Sequence, residues 1–270
     1  MKNGISAYLV AYHEEKVIER CLKSLVGAVD EIIVIHDGPC RDNTIKIAQK
    51  YTKNVYEGER RGMTELHRID ALQKCYFPWV LQMDADEFLS EELRKALSSL
   101  TQEDDINAYG FLWKIWNGKE YLTNSFPFKT VLFRKEQMGY IACPHKNPFV
   151  RGTTKNIPLP LEHQPSFNNY TLRIFQKKWR PWIKVHATFL TNGDFPAFQT
   201  SSKELEVFQK KQWRIRKYAH PILAPVWFCY AFLKSLSAGF YKNPKVWHIP
   251  ILQGMYGFFL CLEIWKNRRN

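Results

Sequence analysis

The chain has 270 residues and a formal net charge of +13, and 45% of its residues are hydrophobic, which allows a sizeable core and excludes global disorder. Its six cysteines are scattered, without a CxxC pair or a dense framework, so zinc-ribbon and disulfide-rich classes are excluded and a reduced, cytosolic setting is expected. The apolar run near the N-terminus is too short for a secretory signal and lacks a cleavage site, so we predict a strand there and no export.

The first hundred residues alternate between short apolar runs and segments with helical spacing. Apolar runs bounded by polar or turn residues predict strands at 5–11, 31–36, 54–57 and 79–83. Between and after them, helices are predicted at 14–25, from 42 or 43 to about 51, at 63–75 and at 91–100. Strands that alternate with helices of this size predict an α/β fold with a mostly parallel, Rossmann-like sheet.

The pattern changes beyond residue 107. Strands are predicted at 110–116, 129–134 and 139–142, whereas 144–165 is predicted to be rich in loops and the chain from 170 onward to be helical. We therefore expect two halves of one domain, 1–105 and 106–169, followed by a helical extension at 170–270.

Acidic residues follow two of the predicted strands directly. Asp37 closes the second strand, while Asp84 and Asp86 close the fourth. Ligands of open α/β sheets bind at the carboxyl ends of the strands, and residues i and i+2 of an extended segment point the same way. Two convergent carboxylates are oxygen ligands suited to Mg²⁺ or Mn²⁺. The alternative is that Asp86 or Glu87 simply caps the following helix.

Three stretches together resemble glycosyltransferase family 2, which has the GT-A fold. They are ISAYLVAYHEEKVIERCLKSL, DEIIVIHDGPCRDNTIKIAQKY and WVLQMDADEFLSEEL, and the spacing between them matches the family as well. The similarity is greatest to the bacterial branch that includes the lipopolysaccharide-core glucosyltransferases, and it fades after about residue 165. The resemblance implies an inverting transferase that uses a nucleoside-diphosphate sugar, often a UDP-sugar, with a divalent metal. It assigns sugar-nucleotide binding to 1–105 and the acceptor side to 106–169.

The resemblance also assigns residues to the nucleoside. Ala11 and Tyr12 are expected to line its pocket, Glu14 to lie near the ribose or base, and Asp37 to accept the N–H of uracil. Where the family has two adjacent Asp residues, this chain has His36 and Asp37. Asp37 is therefore also open to interpretation as an ordinary turn residue before a glycine.

The diphosphate end of the donor is assigned in the same way. Asp84 is expected near the ribose and diphosphate, and Asp86 as the principal metal ligand. Arg68 occupies a place where the family often has a basic residue directed into the donor site, and Arg suits bidentate phosphate recognition. Arg60 and Arg61 are candidates for the same role, with a solvated helix face as the alternative.

No single residue identifies itself as the base that an inverting transfer requires. Relatives often carry a His-Glu pair after a strand ending in Arg, and here His145 is retained but Lys146 replaces the acid. His145 is the first candidate for the base, with metal or phosphate binding as its alternatives. Glu162 and Asp194 are acidic candidates for the base. His163 resembles a second family position and is predicted to be a metal ligand.

Several other enzyme classes lack their signatures in this sequence. There is no G-x-G-x-x-G after the first strand, no P-loop and no G-x-S-x-G nucleophile elbow. The first loop also lacks the Gly-rich, Arg-bearing character of a sugar nucleotidylyltransferase. Dinucleotide oxidoreductases, P-loop kinases and α/β-hydrolases are therefore not expected.

The last hundred residues carry the whole excess of positive charge. They contain 17 Lys and Arg against four Asp and Glu, together with six of the nine Trp residues. Two runs, 218–233 and 246–262, contain no charged residue but are interrupted by Pro or Gly and are shorter than a membrane span. We predict helices at an anionic membrane surface, with re-entrant or spanning segments and ordinary core as alternatives. Residues expected to enter the acyl region are Trp227, Phe228, Phe232, Phe258 and Phe259.

The sequence as a whole predicts a metal-dependent transferase acting on a saccharide or glycolipid acceptor at the cytoplasmic face of the membrane. Nucleic acid is not an expected partner, because the long uncharged runs suit lipid better than phosphate. The alternatives are a catalytically inactive, membrane-anchored module that binds sugar nucleotide or glycan, and a soluble transferase acting on protein or free saccharide. The sequence leaves the oligomeric state open.

Overall fold

The computed structural model describes residues 4–122, 128–237 and 246–269. The chain divides into two compact units. The first comprises Met1–Ser166 and Ala197–Gln199, and the second comprises Phe167–Pro196 and Thr200–Asn270.

The first unit is built on an eight-stranded sheet flanked by helices. Its strands are β1 (Ile5–Ala11), β2 (Glu31–Asp37), β3 (Val55–Gly58), β4 (Trp79–Asp84), β5 (Glu87–Leu89), β6 (Ala108–Trp113), β7 (Phe128–Arg134) and β10 (Thr154–His163). A small sheet contains β8 (Met138–Ile141), β9 (Phe149–Val150) and β11 (Ala197–Phe198). The helices are α1 (Ile18–Leu25), α2 (Thr44–Ala48), α3 (Arg68–Lys74) and α4 (Glu91–Leu100).

The strand order of the large sheet is β3-β2-β1-β4-β7-β6-β10-β5. The first four strands in this order are mutually parallel, as the alternation of strands and helices predicts. The remaining part is mixed, because β7 runs antiparallel to both β4 and β6, and β5 runs antiparallel to β10. Only two residues separate β4 from β5 along the chain, although three strands lie between them in the sheet order, so the sheet curls.

The core lies on both faces of the parallel strands. All seven residues of β1 are buried, since α1 packs on one face and α3 on the other. A strand covered on both faces reads as a continuous apolar run, which is why β1 lacks polar alternation. The predicted α/β fold class, with helices in the C-terminal part, is confirmed.

The prediction of a loop-rich segment at 144–165 is wrong. Residues Thr154–His163 form a ten-residue strand that pairs in parallel with β6. The pairing register shifts between Ile157 and Pro160, so the two prolines of this strand fall at or beside an irregularity. Proline has no N–H for a sheet hydrogen bond and is tolerated at such bulges.

The second unit is helical. Its helices are α5 (Leu172–Ile174), α6 (Arg180–Asn192), α7 (Ser202–Lys217), α8 (Ala224–Ser237) and α9 (His248–Asn267), with a π-helical turn at Phe175–Trp179 joining α5 to α6. Close packing of α8 on α9 depends on glycine. A Cβ atom at Gly254 would lie 2.7 Å from the ring of Phe228, and one at Gly257 would lie 2.8 Å from the carbonyl oxygen of Trp227. Within the described ranges, no helix combines the length and the apolar character that crossing a bilayer requires.

Candidate active site

The carboxyl ends of β1, β2 and β4 meet at one edge of the sheet. In the parallel registers, Ala11 pairs with His36 and Val10 pairs with Asp84. The residues that follow β1 therefore lie beside the ends of both neighbouring strands. Of the sequence-predicted residues, this register brings together Ala11, Asp37 and Asp84.

A lysine neutralises Asp84. The Nζ atom of Lys129, at the start of β7, lies 2.6 Å from Oδ2 of Asp84 and 2.5 Å from Oε1 of Glu87. Burial alone would raise the pKa of Asp84, but Lys129 and Arg68 outweigh it and hold the pKa at about 2. Burial keeps the pKa of Glu87 above its usual value in spite of Lys129. Asp84 is thus ionised at neutral pH and carries a protein cation as its partner.

Asp86 has a different partner. Its Oδ2 lies 3.5 Å from Nε2 of His163, the last residue of β10. The imidazole is buried and stacks on Trp113, with ring centroids 4.3 Å apart, so its orientation is fixed by packing. Among the described residues, none hydrogen-bonds to Nδ1 of His163. Asp86 and His163 together offer one oxygen and one nitrogen donor within reach of a single cation.

The expectation that Asp84 and Asp86 converge from an extended segment needs correction. Ala85 and Asp86 form a turn between β4 and β5, and the two carboxylates are paired with different cationic or imidazole groups. Over the described parts of the chain, Asp84, Asp86 and His163 do not form a group with all ligand atoms within 4.8 Å. The reason is that β4 ends at Asp84, so the alternation of side chains along a strand does not extend to Asp86.

The helix-capping alternative for this motif is wrong. Ser90 is the N-cap of α4, and its hydroxyl accepts a hydrogen bond from the backbone N–H of Leu93. Glu87 lies in β5, where its Oε2 accepts from the backbone N–H of Asp84. Neither Asp86 nor Glu87 therefore caps α4, and helix capping does not explain why the motif contains these acids.

Arg68 begins α3 and is buried beside the same edge. Its Nη2 lies 3.9 Å from Oδ1 of Asp84, and its Nη1 donates to the carbonyl oxygen of Lys146 at 3.1 Å. This guanidinium therefore links the end of β4 to the turn that carries His145 and Lys146. Arg60 and Arg61 both precede the 3₁₀ turn Thr64–His67 that leads into α3, so the alternative of a solvated helix face does not hold for them.

His145 lies in that turn with a left-handed backbone, φ +59°. Its backbone N–H donates to Oε1 of Glu65 at 3.1 Å, and its ring is 38% exposed. Burial lowers the pKa of His145, Glu65 opposes this shift, and Arg68 and Lys146 lower it further. The imidazole is consequently neutral at physiological pH, which is the form that can accept a proton.

Asp37 is buried and fully hydrogen-bonded within the chain. Its Oδ1 accepts from the backbone N–H of Arg61 at 2.6 Å and pairs with Nε2 of His67 at 2.9 Å. Its Oδ2 accepts from Arg60 and from the backbone N–H of Gly62 at 3.1 Å. Burial would raise the pKa of Asp37, but His67, Arg61 and Arg60 lower it below its usual value. The carboxylate anchors the loop after β3 whatever else it contacts.

Arg60 covers the ring of Tyr12. The carbon of its guanidinium lies 3.5 Å from the centroid of that ring, while its Nη1 is paired with Asp37. The planar guanidinium of Arg60 thus lies on the ring of Tyr12 next to the carboxylate of Asp37. The family resemblance predicts the nucleobase of the donor at this place. The neighbouring Glu14 lies in the turn before α1, where its backbone N–H donates to the hydroxyl of Thr44.

The remaining candidates for the general base belong to different units of the chain. Glu162 belongs to β10 of the first unit, where it accepts a hydrogen bond from Tyr121 and lies 3.8 Å from Nζ of Lys114. Asp194 belongs to the second unit and follows Gly193, which ends α6 in a left-handed conformation. Their roles as base remain predictions.

A different group has the spacing of metal ligands. Within the described ranges, His36, Cys40 and Asp42 form the one set of three His, Cys, Asp or Glu ligand atoms within 4.8 Å of one another. These atoms already bond within the chain. Nε2 of His36 accepts from the backbone N–H of His13, and Oδ1 of Asp42 accepts from that of Thr44. We interpret the group as one that fixes the turn between β2 and α2.

Sequence reasoning missed three residues of the site. Lys129 and Glu87 form the ion-paired centre with Asp84, and Trp113 packs on His163 while its Nε1 donates to Glu87 at 2.6 Å. The sequence provided an indication of the role of Lys129, because a lysine within a largely apolar strand usually has an acidic partner when it is removed from solvent. The sequence provided no indication of the role of Trp113, since its contact with His163 depends on β6 pairing with β10.

Comparison with known proteins gives the family. The profile of Glycosyl transferase family 2 matches residues 6–157. The lipopolysaccharide core biosynthesis glycosyltransferase LpsC of Rhizobium meliloti is 32% identical over 110 residues, which cover 38% of this chain and 39% of that protein. An uncharacterized glycosyltransferase of Rickettsia conorii is 30% identical over 112 residues, covering 39% of this chain and 36% of that protein. The similarity thus spans about two fifths of the length of these curated relatives.

Several solved structures are similar to this chain at low sequence identity. The crystal structure of TarS from S. aureus has a TM-score of 0.45 at 15% identity, covering 98% of this chain and 54% of that chain. Glucosyl-3-phosphoglycerate synthase from Mycobacterium tuberculosis, in complex with Mn²⁺, UDP-glucose and phosphoglyceric acid, has a TM-score of 0.41 at 14% identity, covering 76% of this chain and 91% of that chain. The family profile covers more than half of the present chain, which is therefore a member of glycosyl transferase family 2.

Proposed function

We propose that the protein is an inverting glycosyltransferase that moves a sugar from a UDP-sugar to a hydroxyl of a lipid-linked or glycolipid acceptor. The observation that carries the proposal is the grouping of Asp84, Asp86, His163 and Arg68 where the parallel strands end. A guanidinium, an imidazole and two carboxylates at this edge match what a diphosphate donor requires, namely a cationic clamp and ligands for a metal.

Asp86 and His163 fit a divalent metal. Their donor atoms are 3.5 Å apart, with Asp86 in the turn before β5 and His163 at the end of β10. The side chain of Asp86 is 24% exposed, so a cation and a sugar-nucleotide donor can reach it. An imidazole nitrogen beside a carboxylate oxygen suits Mn²⁺ better than Mg²⁺, which prefers oxygen ligands alone. When bound, such an ion supplies charge that stabilises the departing diphosphate. Asp84 would support it through charge, because Lys129 already occupies one of its oxygens.

Arg68 is proposed to bind the donor's phosphates. It is buried beside Asp84 and held by the carbonyl oxygen of Lys146, so its planar fork is oriented before a ligand arrives. Preorganised donors lose little freedom on binding and recognise phosphate oxygens in pairs. Lys146, which replaces the acid of the family pattern, adds positive charge to the same turn.

The nucleoside is proposed to lie against Ala11 and Tyr12, with Glu14 near its ribose or base. For uracil to stack on Tyr12 and approach Asp37, the guanidinium of Arg60 has to leave the ring. Arg60 is on the solvent side of this pair, with a side chain that is 43% exposed, so it has room to move. When uracil binds, it therefore replaces the guanidinium of Arg60 on the ring of Tyr12.

His145 is proposed as the base. Inversion needs one group that removes the proton of the acceptor hydroxyl as the sugar carbon is attacked. The lowered pKa of His145 keeps its imidazole neutral, and its turn is tied to the phosphate end of the site through Arg68. Glu162 and Asp194 are the alternatives that variants must exclude.

The acceptor is proposed to be presented at the cytoplasmic face of the membrane. The charge of the last hundred residues and their aromatic content suit an anionic surface, where a lipid-linked saccharide or glycolipid would be found. We propose that the helical second unit associates with that surface peripherally.

Donor turnover tests the proposal. Purified protein is incubated with UDP-, GDP- and dTDP-sugars, with Mn²⁺ or with EDTA, and release of the nucleoside diphosphate is measured. We expect UDP release that EDTA abolishes and that a glycolipid acceptor accelerates. Tight UDP-sugar binding without any release, in the presence of acceptor lipids and Mn²⁺, would instead identify an inactive binding module.

A further inference from the structure

An uninterrupted apolar face is exposed on α8. Ile222, Val226, Tyr230 and Leu233 recur at intervals of four, four and three residues, which places them on one side of the helix and the turn before it. Their exposed fractions are 78%, 59%, 68% and 60%. Cys229 is exposed between them. This set of residues is called the α8 face below.

The α8 face is not the set of residues that the sequence predicts for contact with acyl chains. Phe228 packs against Gly254 on α9, and Phe259 lies 6.0 Å from Phe175 with Arg180 over its ring at 3.9 Å. These rings hold the second unit together, and the opposite side of α8 is left in solvent. Exposed apolar surface of this extent on one helix indicates an interaction site.

The charge around the α8 face identifies its partner. Lys217 precedes it and Lys234 follows it, while α7 contributes Arg214 and Lys211 to the same unit. A second copy of this chain would bring like charges together, since its last hundred residues carry the same excess of 17 basic over four acidic residues. An anionic lipid surface accepts both the apolar face and the lysines at its ends.

We infer that α8 lies in the plane of an anionic membrane, with Ile222, Val226, Tyr230 and Leu233 in contact with lipid acyl chains. The inference deepens the proposed function and rests on its membrane-presented acceptor. The 14 residues of α8 that the structure describes are about 21 Å long, shorter than the roughly 30 Å of a hydrocarbon core, which favours a helix lying on the membrane.

Vesicle binding without any sugar nucleotide tests the inference independently of catalysis. Full-length protein is sedimented with phosphatidylcholine vesicles, with or without phosphatidylglycerol, at low and high salt. We expect binding to the anionic vesicles that high salt weakens without abolishing, because apolar contacts are not screened.

Replacing the α8 face separates its contribution from that of charge. The variant Ile222→Ser, Val226→Ser, Tyr230→Ser, Leu233→Ser should lose at least about a hundredfold in vesicle partitioning at high salt, since four exposed apolar side chains no longer enter lipid. Val207→Ser, at a residue of α7 that is 64% exposed, is the matched control and should bind like the wild type. Equal binding of the fourfold variant and the wild type at high salt would overturn the inference.

A fluorophore attached to Cys229 reports how deeply α8 enters the membrane. Four of the other cysteines are buried, so a Cys40→Ser background leaves Cys229 as the accessible thiol for an environment-sensitive fluorophore. Anionic vesicles should shift its emission to the blue, and lipids brominated on their acyl chains should quench it. A fluorophore that stays in a polar environment while the protein sediments would place another surface on the membrane.

A concentration-dependent dimer that the fourfold variant abolishes, without vesicle binding, would assign the α8 face to contact with a second copy of this chain. If the protein binds vesicles as expected but releases no UDP, the docking surface stands and the proposed reaction fails.

Discussion

The Nζ atom of Lys129 lies 2.6 Å from Oδ2 of Asp84, so the first carboxylate of the Asp84-Ala85-Asp86 motif already has a cation from the protein itself. The same ammonium bonds to Glu87, whose side chain has no exposed surface. One half-buried lysine thus balances two acids beneath the proposed donor site. This arrangement has consequences for stability, for metal binding and for pH dependence.

Lys129→Met should destabilise the protein at neutral pH. We expect the free energy of unfolding to fall by about 2–3 kcal/mol, less than the ~3–5 kcal/mol for breaking a fully buried pair, because the side chain of Asp84 is 40% exposed. Urea denaturation followed by circular dichroism measures this. Lys155→Met is the control, since the Lys155–Glu103 pair is solvent-exposed and should contribute only about 0–1 kcal/mol.

The Lys129→Met effect should depend on pH in a defined direction. The pKa of Asp84 is lowered to about 2 in the folded protein, so its ion pair stabilises the fold fully above the pKa of the unfolded chain and less as pH falls toward 2. The stability difference between variant and wild type should therefore shrink in acid. A difference that grows as the pH is lowered below 4 would show that Lys129 does not act through Asp84.

Asp86→Asn and His163→Ala should each abolish Mn²⁺-dependent UDP binding while leaving the fold intact. Their donor atoms are 3.5 Å apart and are the pair best placed to hold one ion. Calorimetric titration of UDP with and without Mn²⁺ measures the loss, and circular dichroism checks folding. Asp84→Asn is the comparison and should weaken the metal effect only partly, because Lys129 already occupies its Oδ2. Mn²⁺ dependence that survives in both Asp86→Asn and His163→Ala would exclude this pair as the metal site.

Arg60→Ala should tighten UDP binding by about 5- to 30-fold. In the wild type, uracil has to displace Arg60 from a cation–π contact and a partly exposed ion pair, each worth about 1 kcal/mol. The variant has neither contact, so uracil binding no longer costs this free energy. Arg151→Ala, which removes a guanidinium over Phe149 away from this loop, should leave UDP affinity unchanged. Weaker UDP binding by Arg60→Ala would mean that the guanidinium contacts the nucleotide and is not displaced by it.

Asp37→Asn should affect both UDP affinity and stability. The single amide oxygen can replace only one of the two carboxylate oxygens. The NH₂ group therefore opposes either the backbone N–H of Arg61 beside His67 or the backbone N–H of Gly62 beside Arg60, and the ionic pairing with Arg60 is lost. We expect a loss of about 1–3 kcal/mol in unfolding free energy from the mismatched buried groups. UDP binding should weaken by a similar free energy if this carboxylate accepts the N–H of uracil. A stability loss without any change in UDP affinity would confine Asp37 to anchoring the loop.

His145→Asn should lower the rate of transfer by about 10²–10⁴-fold without changing UDP affinity, as expected for loss of a general base. Asparagine tolerates the left-handed backbone at φ +59°, so the turn should be retained. Because the pKa of His145 is lowered, the wild-type rate should fall only at pH values below the ordinary histidine range, and the variant should lack this acidic limb. Glu162→Gln and Asp194→Asn, measured in parallel, should keep it. An unchanged acidic limb in His145→Asn would move the role of base to one of these acids.

The sequence by itself determined the parallel half of the fold and the residues at its edge. Apolar runs such as β1 and the capped or amphipathic helices between them are local patterns, and the order of these elements dictates that Asp37 and Asp84 lie at one end of the sheet. The strand at Thr154–His163 was missed because its prolines oppose strand formation locally, whereas pairing with β6 outweighs that preference.

The partners of the site residues were decided only by the tertiary structure. Lys129 meets Asp84 across 45 residues of sequence because β7 runs antiparallel to β4, and His163 meets Asp86 because β10 pairs with β5. In the second unit, composition indicated lipid contact, but packing against Gly254 turned Phe228 inward and left Val226 and Tyr230 outside. Periodicity places a residue on a face of its own helix or strand, and only the packing of elements decides which face is buried.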